Sequence, residues 1–94
     1  MKSKWHLYIL QCSDKSLYTG IALDVERRIR EHTAGKGSAY VRSKLPIKLV
    51  YREPCRNKSS ALKREAEIKG WTRRGKLAFL KEGPSSEMPI KAHY

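Results

Sequence analysis

Apolar and polar positions alternate with a period of two over residues 5–12, in residues that favour extended chain, and this predicts a strand. Residues 16–21 predict its hairpin partner. The period then lengthens. Asp24 is a good helix cap, Glu26 places an acid in the first turn, and Val25 and Ile29 carry the apolar side of a helix over 24–34, stopping before Gly35. The stretch TAGKGSAYVRSKLP reads as a basic, glycine-containing loop. IKLVYR at 47–52 is a third strand, closed by Pro54. Ser59 or Ser60 caps a helix over 60–69, with Ala61, Leu62, Ala66 and Ile68 apolar and Gly70 as its stop. Thr72 starts a shorter helix over 73–81 through Leu77, Phe79 and Leu80, weakened by Gly75. From Gly83 onward two prolines and no periodicity suggest a mobile tail. The expected fold is therefore α/β, in the order ββαβαα. A small three-stranded, mainly antiparallel sheet is flanked by three helices, in one domain over 4–82 with a tail over 83–94.

The hairpin leaves one geometric choice open. A two-residue turn at Asp14 and Lys15 would set Tyr18 opposite Gln11 and send Tyr8 and Tyr18 to opposite faces. A three-residue turn over 13–15 would set Tyr18 opposite Leu10 and Tyr8 opposite Gly20, with both phenols on one face. The second choice makes Lys15 left-handed, at a cost on the order of 1–2 kcal/mol. It also gives Gly20 a purpose. Its missing side chain would leave room for a ligand between the two phenols.

Charge narrows the partner. The 94 residues hold 21 Lys and Arg against 9 Asp and Glu, a net charge of +12, which favours a polyanion. No apolar run approaches a membrane span, and the first residues lack a signal-peptide pattern, so a cytoplasmic protein is expected. Cys12 and Cys55 lie far apart with no CxxC context and read as free thiols.

A few side chains sit where chemistry is plausible. Glu65 lies three past Leu62, four past Ala61 and three before Ile68, within the inward stripe, whereas Glu67 is rotated to the other side. An inward carboxylate needs a partner, either a structural arginine or a metal ion. Arg28 and His32 are one turn apart, with Arg28 three past Val25. An ordinary exposed basic face is the competing reading. Arg27 and Arg30 project elsewhere, toward solvent or phosphate. In the loop, Lys36, Arg42, Lys44 and Lys48, with Tyr40 among them, suit a grip on single-stranded DNA. The competing reading is a solvated loop with Tyr40 in the core.

HLYIL, LYTGIA, DVERRIREH and ALKREAEIK, in that order and spacing, resemble the GIY-YIG nuclease superfamily. Within it the match is to the small free-standing bacterial UPF0213 group, related to the N-terminal nuclease domain of the excision-repair subunit UvrC. The resemblance spans about residues 4–80. It implies a metal-dependent phosphodiesterase and hence a DNA endonuclease for DNA processing or repair, for which the basic loop favours single-stranded or structured DNA. It assigns catalytic roles to Tyr8, Tyr18, Arg28 and His32, a structural role to Gly20, and Mg²⁺ or Mn²⁺ to Glu65. Nucleic-acid contacts would fall to Arg27, Lys36, Tyr40, Arg42, Lys44 and Lys48. The first motif keeps only its tyrosine, and Lys15 stands where relatives often have glycine. A basic DNA- or RNA-binding module without catalysis is the alternative. Protein partners are left unknown by the sequence.

Overall fold

β1 (His6–Gln11) and β2 (Leu17–Ala22) form the antiparallel hairpin, and their register decides the turn. Tyr8 faces Gly20 and Leu10 faces Tyr18. The Cys12 N–H donates to the Ser16 carbonyl at 2.9 Å, leaving a three-residue loop, and Lys15 takes φ 74°. Asp14 stabilises this turn by accepting from the Ser16 N–H at 3.0 Å and the Ser16 hydroxyl at 2.6 Å. β3 (Lys48–Pro54) pairs antiparallel with the other side of β1, giving the order β2-β1-β3. Ile9 faces Tyr51 and Leu10 faces Leu49, so Val50 is an extra residue in a bulge. Pro54 is tolerated because β3 is an edge strand.

Central β1 feeds a core on each face of the sheet. Leu7 and Ile9 pack with Cys55, Ala61 and Ile68, while Tyr8 and Leu10 pack with Ala22 and Val25. Helix α1 (Val25–Thr33) covers the second face. Its cap is Asp24, whose carboxylate accepts from the Arg27 N–H at 3.0 Å. After it comes α2 (Ala39–Arg42), a single turn capped by Ser38 inside the expected loop. Helices α3 (Lys58–Lys69) and α4 (Arg73–Glu82) cover the first face. The computed structural model describes residues 4–82, so the expected tail over 83–94 lies outside the described residues.

Two expectations about α3 need correction. Its cap is Asn57, which accepts from the Ser60 N–H at 2.9 Å, so Ser59 and Ser60 lie inside the first turn. Leu62 is not inward: it is 46% exposed, and only Ala61 and Ile68 are buried on this helix. The helix meets the sheet along a line narrower than its apolar stripe. Leu77 of α4 is similarly 40% exposed, while Phe79 is buried. Both cysteines are free and buried, as expected.

Candidate active site

The hairpin register sets Tyr8 and Tyr18 on one face of the sheet, beneath α1. Tyr8 is buried, and its ring lies across Gly20. An ideal Cβ on Gly20 would stand 2.7 Å from the Tyr8 hydroxyl and 2.8 Å from its Cζ. The room expected for a ligand opposite Tyr8 is therefore filled by Tyr8 itself. The glycine is needed because a central-strand phenol folds sideways over its neighbour.

Helix α1 supplies the next two groups. His32 is 1% exposed, which removes the exposed-face reading for this residue. Its Nε2 lies 3.2 Å from the Tyr8 hydroxyl, and its ring meets Tyr18 edge-on at 5.6 Å. Its Nδ1 is buried with no hydrogen-bond partner among the described residues. The backbone presses on the same ring, since an ideal Cβ on Gly37 would stand 2.2 Å from Nδ1. Burial, and then the neighbouring Arg28 charge, push the His32 pKa below the ordinary imidazole value, so the ring is neutral near pH 7. Burial raises the Tyr8 pKa. A hydrogen bond with Arg28 works against that rise, and the charges of Tyr18 and Glu65 add to it.

Arg28 is half-exposed and donates to Glu31 at 3.0 Å, and Glu31 also pairs with Arg27 at 3.3 Å. This pairing raises the Arg28 pKa further and keeps the guanidinium charged. Glu31 was absent from the expected site. Its signal was available, because it stands three past Arg28 and four past Arg27, where helical side chains meet. A cleft lined by Ala22, Asp24, Arg27, Arg28 and Glu31 opens beside this pair.

Glu65 belongs to α3, which packs against β2 and β1. Its side chain is 20% exposed against 51% for Glu67, so the two acids do differ in direction. The expected arginine partner is replaced by Lys69, whose ammonium lies 3.1 Å from Glu65 Oε2. Arg64 instead binds Glu53 at 2.9 Å and Glu67 at 3.1 Å. Among the described residues no three His, Cys, Asp or Glu side chains cluster as a metal cage. A donor set of one carboxylate does not suit zinc. It fits a hydrated Mg²⁺ or Mn²⁺ ion, held by one acid, water and substrate oxygens.

The loop residues divide. Tyr40 is not in the core: it is 44% exposed and stacks on Tyr18 at 5.9 Å with 22° between the rings. Its hydroxyl donates to Ser16 Oγ at 3.0 Å. Lys44 pairs with Asp14 at 2.7 Å and sits 5.1 Å from the Tyr40 ring centroid. Arg27, Lys36, Arg42 and Lys48 are exposed. Arg42 lies along Gly35, and Lys48 opens onto a separate cleft beside the hairpin turn with Lys15.

Two phenols from the hairpin, with a guanidinium and a neutral imidazole from α1, form a site suited to phosphate chemistry. The GIY-YIG catalytic domain family matches residues 4–78, and the chain belongs to this family of nucleases. More narrowly, it is similar to UPF0213 proteins. That of Haloquadratum walsbyi is 47% identical over 89 residues, covering 95% of this chain and 100% of the relative. One from Staphylococcus epidermidis is 50% identical over 80 residues, covering 85% and 98%. A solution structure of an Enterococcus protein (E. faecalis) matches with TM-score 0.61 and 34% identity, covering 95% and 94% of the two chains. The UPF0213 protein of Bacillus halodurans matches with TM-score 0.54 and 43% identity, covering 86% and 88%.

Proposed function

We propose that this protein is a metal-dependent DNA endonuclease of DNA processing or repair. The observation that carries the reading is the convergence of Tyr8, Tyr18, Arg28 and His32 on one face of the sheet. Simple binding of a polyanion does not call for a buried phenol–imidazole pair beside a second phenol.

Glu65 is the residue that would hold Mg²⁺ or Mn²⁺, which supplies charge stabilisation at the scissile phosphate and its leaving oxygen. Arg28, half-exposed beside the cleft, holds a phosphate oxygen and stabilises transition-state charge. Tyr18 is half-buried, whereas Tyr8 is sealed at 1% exposure. Tyr18 is therefore the phenol that meets and orients the attacking water, and as the phenolate it would take the water's proton. Tyr8 holds His32 and Arg28 in place from below. A neutral His32 keeps a second positive charge away from Arg28. Arg27, Lys36, Arg42 and Lys48 contact the DNA backbone, with single-stranded or structured DNA favoured. Tyr40 stacks on Tyr18, and Lys44 is tied to Asp14 with its side chain only 28% exposed, so neither is counted in that grip, whereas Arg27 stays 69% exposed despite its pair with Glu31.

The test is the purified protein with Mg²⁺ or Mn²⁺ against single-stranded, duplex and branched DNA and against RNA. Cleavage of DNA that a chelator abolishes, with binding retained, is the expected result. Binding with no cleavage of any substrate would favour the non-catalytic binding module.

A further inference from the structure

Tyr40 is a large aromatic residue left 44% exposed on a one-turn helix, yet three direct contacts hold it. Its ring stacks on Tyr18. Its hydroxyl donates to Ser16 Oγ at 3.0 Å, and the Ser16 hydroxyl donates to Asp14 at 2.6 Å. Asp14 binds the Lys44 ammonium at 2.7 Å, and that ammonium lies 5.1 Å from the Tyr40 ring centroid. The contacts close on themselves and join the hairpin turn to α2. Lys44 and Ser16 hold the Asp14 carboxyl well below the usual carboxylate range, so the circuit stays charged at neutral pH. Tyr18 starts just beyond that turn. It lies between two rings, edge-on to His32 at 5.6 Å and stacked on Tyr40 at 5.9 Å.

We propose that Tyr40 is a positioning residue for Tyr18, fixing the direction of the Tyr18 hydroxyl through the stack and the polar circuit beneath it. The role in catalysis rests on the nuclease reading above. Positioning itself does not, because it concerns how one ring holds another. The competing role is a platform on which a nucleobase of the substrate stacks. The two differ in kinetics. A positioning residue acts on turnover, since misplacing a reacting group by about 1 Å costs on the order of a hundredfold. A platform acts on substrate affinity.

Tyr40→Ala is expected to lower kcat about ten- to a hundredfold, with KM for a single-stranded oligonucleotide changed less than about twofold. Tyr40→Phe keeps the stack and loses only the hydroxyl contact, so it should restore most of the rate. In a Tyr18→Phe background, adding Tyr40→Ala should cost little more, because the group it positions is gone. NMR of ¹³C-labelled tyrosine supplies a readout free of cleavage. The ring signals of Tyr18 should move in Tyr40→Ala and hold in Tyr40→Phe, with the rest of the spectrum showing a folded chain. Unmoved Tyr18 signals would overturn the proposal. So would a rise in KM at unchanged kcat, or equal slowing by Tyr40→Ala with and without the Tyr18 hydroxyl. If the parent cleaves nothing, the nuclease reading fails and the Tyr18 signals alone decide whether Tyr40 positions it.

Discussion

Gly20 and Gly37 each have an aromatic ring where a side chain would stand: Tyr8 at 2.7 Å and His32 at 2.2 Å from an ideal Cβ. Both rings are buried and have nowhere cheap to move. Gly20→Ala should therefore destabilise the fold by about 1–3 kcal/mol. It should also displace the Tyr8 hydroxyl from His32, which thermal melts and the His32 ring signals would check. A Gly20→Ala variant as stable as the parent would show that the phenol has other room. His32 yields a pH prediction. Its folded-state pKa lies below the ordinary imidazole value, so the unfolded chain takes the proton first. Above about pH 7 this group contributes no pH dependence. Stability should fall as pH drops through about 6.5, and the loss should stop growing once the folded imidazole also protonates. His32→Phe should flatten that part of the melting-temperature profile. Parallel profiles would mean that the buried imidazole titrates normally.

At the scale of elements, the hairpin turn carries the sharpest conflict between local preference and global need. Lys15 sits at φ 74°, where glycine is at ease, because only the three-residue turn puts both phenols on one face. Lys15→Gly should raise stability by about 1 kcal/mol, read from chemical denaturation, with the register unchanged. No gain would mean that the Asp14–Ser16 contacts already offset the strain. Much of this architecture was legible from the chain. The three strands and three main helices follow from local periodicity and from Asp24 as cap. Glu65 stood out as a carboxylate on the side of Ala61 and Ile68. What was lost is non-local or too short. One turn of helix at Ala39–Arg42 has no period to read. Asn57, Ser59 and Ser60 are all good caps, and only the packed chain chooses among them. How wide a strip of α3 the sheet covers decides that Leu62 faces water, and no spacing rule carries that width. The Tyr18–Tyr40 stack joins residues whose pairing depends on α2 folding back on the turn. The space at Gly20 holds the Tyr8 phenol and not a ligand, because periodicity places a side chain on a face without saying where its far end goes.

As a whole, the molecule is a slab of 37 × 36 × 19 Å, about one helical turn of duplex across. Such a surface leaves little room for reading a long sequence, so binding should rest mostly on charge. No helix among the described residues is long and apolar enough to cross a membrane, and the +12 balance favours a polyanion. If Arg27, Lys36, Arg42 and Lys48 each neutralise one phosphate, log affinity should fall with log salt at a slope of about −3 to −4. An affinity that ignores salt would remove these contacts from the account. The central claim, that the converged side chains do chemistry rather than only bind, is tested most directly by one comparison. It measures DNA cleavage by Glu65→Gln beside Glu67→Gln, both confirmed folded. The two acids share a helix and a charge, but Glu65 is the more recessed, at 20% side-chain exposure, while Glu67 is 51% exposed and pairs with Arg64. Glu65→Gln should lose cleavage by a factor on the order of a hundred or more while DNA binding is kept or slightly strengthened, and Glu67→Gln should turn over like the parent. Parental cleavage by Glu65→Gln would contradict the metal assignment and take with it the main support for the nuclease reading.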